Sequence, residues 1–228
     1  MSQFELTHYR TFIFDCDGVL LDSNRVKSRA FFAAGLRYGE EAANLLVEYH
    51  RKNGGVSRYK KFEYFLREIV CLSDGNGALN ELLEIYAHEV RKGLLDCTVS
   101  KAVTALGKID VEIRKLVVSG GDQEELRKIF RERDIDAIFS CGIFGSPDTK
   151  EAILDRELNN GNIKLPALFL GDSKYDYEAA NHFGIDFLFV SDWTEFDEWR
   201  EYQARHRFPS VASLEELFLT GLVVRGIN

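Results

Sequence analysis

The sequence predicts an α/β fold, a mostly parallel sheet with an inserted block of helices, and three observations carry that expectation. Short apolar runs that read as buried strands recur at Thr11–Phe14, Lys115–Ser119, Ala137–Phe139, Ala167–Leu170 and Phe187–Val190. Helical patterns separate most of them, at Gln123–Arg133, Lys150–Leu158 and Tyr175–His182. Strands alternating with helices in this way pair in parallel, with helices on both faces. The stretch from about Asp22 to Gly107 breaks the alternation, because it holds no good strand.

Within that stretch, Val26–Tyr38, Glu40–His50, Arg58–Val70 and Gly77–Lys92 carry apolar residues at three- and four-residue spacing, the period of a helix with one buried face. Gly54-Gly55 and Ser73–Gly77 read as loops between them. The expected organisation is a core of residues 1–21 and 97–228 with an α-helical cap of residues 22–96. Hinges are expected near Leu21–Ser23 and Asp96–Ser100, and Trp193–His206 reads as a C-terminal helix.

Composition bounds the function. With 45% hydrophobic and 12% aromatic residues the chain can bury a sizeable core. A formal charge of −8 argues against general nucleic-acid binding and against an anionic membrane surface. Ser2–Arg10 is polar and no long apolar run follows, so a soluble, cytoplasmic protein is expected, acting as a monomer or homodimer. Cys16, Cys71, Cys97 and Cys141 show no CxxC spacing and read as reduced packing residues. Cys16 sits between two acids, but strand alternation points its side chain away from theirs.

Those acids, Asp15 and Asp17, end the first apolar run and are followed at once by Gly18. A buried strand has no structural use for two unpaired carboxylates, because desolvating them is expensive. The carboxyl edge of an open α/β sheet is also where ligands bind. Three further sites have the same strand-to-helix setting. Ser119-Gly120-Gly121 offers a hydroxyl and close backbone approach to an anion, though such a sequence is commonly only a helix cap. Lys150 opens a helix, where a cation is electrostatically misplaced unless an anion lies nearby, although a surface lysine is the commoner case. Asp172 and Asp176, in Gly171-Asp172-Ser173-Lys174-Tyr175-Asp176, read as a cap and a first-turn acid, and equally as oxygen ligands for Mg²⁺.

Together these motifs resemble the haloacid dehalogenase (HAD) superfamily, in the branch with a helical cap inserted after the first motif, similar to phosphoglycolate phosphatases and β-phosphoglucomutase-like phosphatases. The resemblance spans essentially the whole chain and implies a Rossmann-like core and a Mg²⁺-dependent phosphatase. It makes Asp15 the nucleophile that forms an aspartyl-phosphate, and Asp17 the general acid and then base. It assigns Mg²⁺ to Asp15, the Asp17 carbonyl and Asp172, with Asp176 direct or through water. It assigns the phosphoryl oxygens to Ser119, the Gly120 amide and Lys150. Many relatives carry this lysine directly before a proline, whereas here Pro147 precedes Lys150 by three residues.

Within that family, Asp17 counts against dehalogenases, which need only the first aspartate, and against P-type ATPases, which place threonine there. Hydrolysis of a small phosphomonoester is the expected reaction, with sugar phosphates, including those feeding surface-polysaccharide synthesis, the preferred substrate class. Gly55-Val56-Ser57-Arg58 resembles the cap loop of β-phosphoglucomutases and makes a sugar phosphomutase the alternative. A non-catalytic binding protein on the same scaffold is the other. Lys27 occupies the place of the cap-entry histidine of many relatives. Asn24, Lys27 and Arg58 are the cap residues expected to read the substrate, or else solvated helix residues, while Lys60 and Lys61 are expected to point elsewhere.

Overall fold

A computed structural model describes residues 3–4, 6–72, 76–108, 113–218 and 224–225; residues 73–75 of the expected Ser73–Gly77 loop lie outside them. The strands are β1 (Gln3–Phe4), β2 (Thr11–Phe14), β3 (Arg114–Asp122), β4 (Ile143–Ser146), β5 (Ala167–Gly171), β6 (Asp186–Val190), β7 (Ser210–Val211) and β8 (Val224–Arg225). Six form one parallel sheet in the order β4-β3-β2-β5-β6-β7, and β1 pairs with β8 as an antiparallel ribbon. The helices are α1 (Asn24–Gly35), α2 (Glu40–Lys52), α3 (Arg58–Tyr64), α4 (Asn76–Asp96), α5 (Ala102–Leu106), α6 (Gln123–Glu132), α7 (Lys150–Asn159), α8 (Lys174–His182), α9 (Trp199–His206) and α10 (Leu214–Phe218).

All four residues of β2 are buried, as a central strand covered on both faces requires. Phe12 and Phe14 face one layer, with Leu126, Ile129 and Phe130 of α6 and Leu214 and Leu217 of α10. Ile13 faces the other, with Ile153 and Leu154 of α7 and Ala179 and Ala180 of α8. The first layer continues into α1–α4 through Phe31, Phe62, Phe65, Tyr86 and Leu94, so one buried apolar cluster runs from the sheet face into the helical block.

The run Ala137–Phe139 is not a strand. Residues Asp136–Ile138 form a single tight helical turn, and the strand is Ile143–Ser146. Phe139 is apolar because its ring packs on Phe14 and Phe130, at 5.8 and 5.5 Å between centroids, and Gly142 at φ +115° then turns the chain into β4. The expected Trp193–His206 helix begins only at Trp199, leaving Thr194 and Glu195 in a loop beside the sheet's carboxyl edge. Arg58–Val70 is helical but changes at Phe65–Ile69 to a wider π turn. No described helix is long and apolar enough to cross a membrane.

The chain enters and leaves the helical block through paired segments: the Asp22 amide donates to Thr98, and the Ser100 amide to Leu20, each at 2.9 Å. Arg133 fastens the end of α4 beside them, donating to the carbonyls of Leu94 and Cys97, both at 2.7 Å. A guanidinium on the open carbonyls of a helix end satisfies acceptors that the helix cannot. Arg133→Ala is expected to lower stability by about 1–3 kcal/mol, read as a fall in the urea midpoint; an unchanged midpoint would show that water replaces the guanidinium at no cost.

Candidate active site

The strand order reverses at β2, whose neighbours are β3 on one side and β5 on the other. Phe14 is in register with Val117 and Leu170, so Asp15 and Asp172, just past the ends of β2 and β5, gather at one edge with Ser119, two residues past Val117 within β3. The Asp15 amide extends the ladder by donating to the Leu170 carbonyl at 2.9 Å. Gly18, at φ +76°, turns the chain away, and any Cβ there would overlap the Asp172 carboxylate and the Asn24 amide.

Three buried carboxylates meet at this edge: Asp15, Asp172 and Asp176 offer oxygens that all lie within 4.8 Å of one another. Lys150 explains its own misplacement at the start of α7. Its ammonium is 3.1 Å from Asp15 Oδ1 and also pairs with Asp176, while Thr149 caps the helix. Asp176 is held from its other side by Ser173, in a reciprocal cap at the start of α8. Asp172 accepts from the Asn24 amide at 2.7 Å, and its main-chain carbonyl accepts from the Thr194 hydroxyl at 2.6 Å.

Burial pushes the Asp15 carboxyl up to about 7; Lys150 and the Cys16 amide oppose the rise, while Asp176 and Asp17 add to it. Burial, then Asp15 and Asp176, hold the Asp172 carboxyl well above the usual range. Three acids sharing one lysine are short of positive charge, and a set of hard oxygen donors in that state fits a divalent cation such as Mg²⁺. Asp17 is different. Burial alone would raise its carboxyl, but the Lys27 ammonium and the Ser23 hydroxyl, at 2.6 Å, hold it below the ordinary range. Ser23 stands at the N-cap of α1 without capping it, because its hydroxyl is turned to Asp17.

The helical block closes over this edge. The Gly55 carbonyl lies so near Gly120 that a Cβ at position 120 would overlap it, which accounts for glycine there. Tyr59 donates to Asp122 at 2.8 Å, and Arg58 forks onto Glu125 and lies over the Tyr86 ring at 4.7 Å. The cavity left between them, about 50 Å³, is lined by Asp15, Asp17, Asn24, Lys27, Arg58 and Asp172 among the residues expected from sequence. Gly120 also lines it, whereas Ser119 is fully buried behind, its hydroxyl accepting from the Gly121 amide at 3.1 Å.

Lys61 does not point elsewhere. It is 2% exposed and lines the cavity, its ammonium 2.7 Å from His50 Nδ1. Burial, and then Lys27, push that ammonium down to about 7. His50, Phe31, Tyr86 and Glu195 also line the cavity and were not foreseen. Helical spacing alone cannot say which lysine of a Lys-Lys pair faces inward once the helix sits in a cap rather than on a surface. The one available signal was Phe62 beside Lys61, fully buried on the same helix.

Residues 9–184, well over half of the chain, match the haloacid dehalogenase-like hydrolase family. No curated protein matches the chain in sequence. Among solved structures, a predicted phosphatase from Clostridium acetobutylicum is 20% identical with a TM-score of 0.71, over 92% of this chain and 97% of that one. A haloacid dehalogenase-like hydrolase from Streptococcus pneumoniae is 20% identical with a TM-score of 0.67, over 93% and 98% of the two chains. A predicted phosphoglycolate phosphatase from Haemophilus somnus is 17% identical with a TM-score of 0.62, over 82% and 87%. At such identities the structural likeness is one of fold. The family match, borne by a chain whose parallel sheet ends in this carboxylate cluster, places the protein among the haloacid dehalogenase-like hydrolases.

Proposed function

We propose that the protein is a Mg²⁺-dependent phosphatase that hydrolyses a small phosphomonoester through an aspartyl-phosphate. The observation that carries this reading is the cluster of Asp15, Asp172 and Asp176 with Lys150, two residues from a separately held Asp17. Asp15 and Asp172 would hold the cation, with the Asp17 carbonyl. Asp176, already engaged by Lys150 and Ser173, would act through water. When bound, the cation neutralises the carboxylates and phosphoryl oxygens and so permits an anionic nucleophile to approach an anionic phosphate.

The remaining work falls to the chain. Asp15, oriented by the Cys16 amide at 2.8 Å and by Lys150, attacks phosphorus as the ester P–O bond breaks. Lys150 and the Gly120 amide take up charge on the phosphoryl oxygens, with Ser119 fixing the loop that presents that amide. Asp17 gives a proton to the leaving alcohol and then, ionised, takes one from the water that cleaves the aspartyl-phosphate. The Lys27 ammonium favours that ionised form, and so serves the second transfer and works against the first. Residues 22–96 serve as a cap over the reaction, excluding bulk water and moving about the paired segments at Leu20–Asp22 and Thr98–Ser100.

Phosphatase chemistry is favoured over a mutase because Arg58, expected to grip a second phosphate, has its fork occupied by Glu125. Sugar phosphates are the first substrates to screen.

Two outcomes test the proposal. Hydrolysis of an aryl phosphate should stop on chelation with EDTA, return with Mg²⁺, and fall about a thousandfold or more in Asp15→Asn; turnover that survives either change would sink the mechanism. Asp17→Asn is expected to slow turnover by about 10²–10⁴-fold and to leave phosphorylated protein detectable as a mass increase. An unphosphorylated Asp17→Asn protein with full activity would remove Asp17 from both proton transfers.

A further inference from the structure

The cations around the cavity differ in one respect. Lys150 is paired with Asp15 and Asp176, Lys27 with Asp17, Arg58 with Glu125, and Arg51 with Glu195 at 3.5 Å. Lys61 has no carboxylate within ion-pair distance among the described residues. Its ammonium meets only His50, at Nδ1 and, at 3.5 Å, at the main-chain carbonyl, with the Phe31 ring centroid 5.5 Å away. A lysine almost wholly buried among rings, with no ion-pair partner among the described residues, costs stability as an ammonium, and an incoming anion would offset that cost.

Its surroundings show the same shortfall. His50 is buried beside it, and burial and the neighbouring Lys61 hold its ring neutral; against an ammonium at Nδ1, the ring would carry its proton on the other nitrogen, as a donor. The Nε of Arg58, whose side chain lines the same cavity, is the buried side-chain polar atom without a hydrogen-bond partner among the described residues. All three groups come from α2 and α3, whereas Asp15 and Gly120 come from the sheet's carboxyl edge and Lys150 from the start of α7 behind it. An ester with its phosphoryl group at the sheet edge would share one cavity with this wall.

We propose that Lys61, backed by His50, binds a second anionic group carried on the substrate's leaving group, a carboxylate or a second phosphate. The assignment rests on the phosphatase reading and narrows it. Lys27 and Arg58, the cations expected from sequence in this role, already pair with Asp17 and Glu125, and of Arg58 only the Nε is left for the wall.

The test compares esters that differ in that second charge: 3-phosphoglycerate against glycerol 3-phosphate for a carboxylate, and glucose 1,6-bisphosphate against glucose 6-phosphate for a phosphate. In at least one pair the charged ester is expected to have a kcat/KM about tenfold higher or more, and the pair that shows it identifies the group. In Lys61→Met the ratio should fall towards one, with a melting midpoint equal to or above that of the unaltered protein. A ratio near one in both pairs for the unaltered protein overturns the proposal, as does a preference that survives Lys61→Met. Should Lys61→Met fail to fold, Lys61→Gln takes its place under the same criterion. If no ester, the aryl phosphate included, is hydrolysed with Mg²⁺ present, the phosphatase reading fails. Calorimetry of the full-length Asp15→Asn protein with each pair then decides the anion site separately, by the same tenfold criterion applied to Kd.

Discussion

Three carboxylates and one ammonium share the carboxyl edge of the parallel sheet, and much of the molecule is arranged around that imbalance. Burying Asp15, Asp172 and Asp176 together would be prohibitive if each stood alone. The chain divides the cost. Lys150 serves two of the acids, the cap of α8 serves Asp176, and Asn24 reaches across from the helical block to Asp172. What remains is a deficit of positive charge confined to the space between Asp15 and Asp172. That deficit, left in place while nearly every other buried side-chain polar atom among the described residues is satisfied, is the observation behind the proposed cation site.

Asp15 and Asp17 show how far two residues just past the end of one strand can diverge in environment. Asp15 lies among other acids and is driven up; Asp17 lies against Lys27 and Ser23 and is driven down. Groups of the same type pushed apart in this way can take different parts in one reaction. The partner that separates them comes from α1, so the helical block helps set the proton affinity of a residue on the core sheet. Gly120 and Gly55 meet backbone to backbone, and Arg58 and Tyr59 anchor the same loop to the start of α6. The closed arrangement therefore depends on glycine at position 120 and on polar contacts rather than on a large apolar seam at the mouth.

Much of this was legible in the chain. The buried strands at Thr11–Phe14, Ala167–Gly171 and Asp186–Val190 announced themselves because a central parallel strand must be apolar on both faces. The strand at Ile143–Ser146 did not, because Gly145 and Ser146 dilute it, while the more apolar Ala137–Phe139 owed its character to a ring buried from a turn. Hydrophobicity reports burial, and burial does not require an extended backbone.

The sequence by itself determined the sheet's parallel class, the inserted helices and the identity of the acids, since strand–helix alternation and carboxylates at strand ends are local patterns. Which of those acids is paired, and by what, was decided only by the tertiary structure. Lys27 and Arg58 are neutralised by residues 10 and 67 positions away along the chain, and Lys61, dismissed by helical spacing, is turned inward without a counter-ion. Charge compensation in a buried site is a sum over neighbours from every element that packs there, and no local pattern in the chain contains that sum.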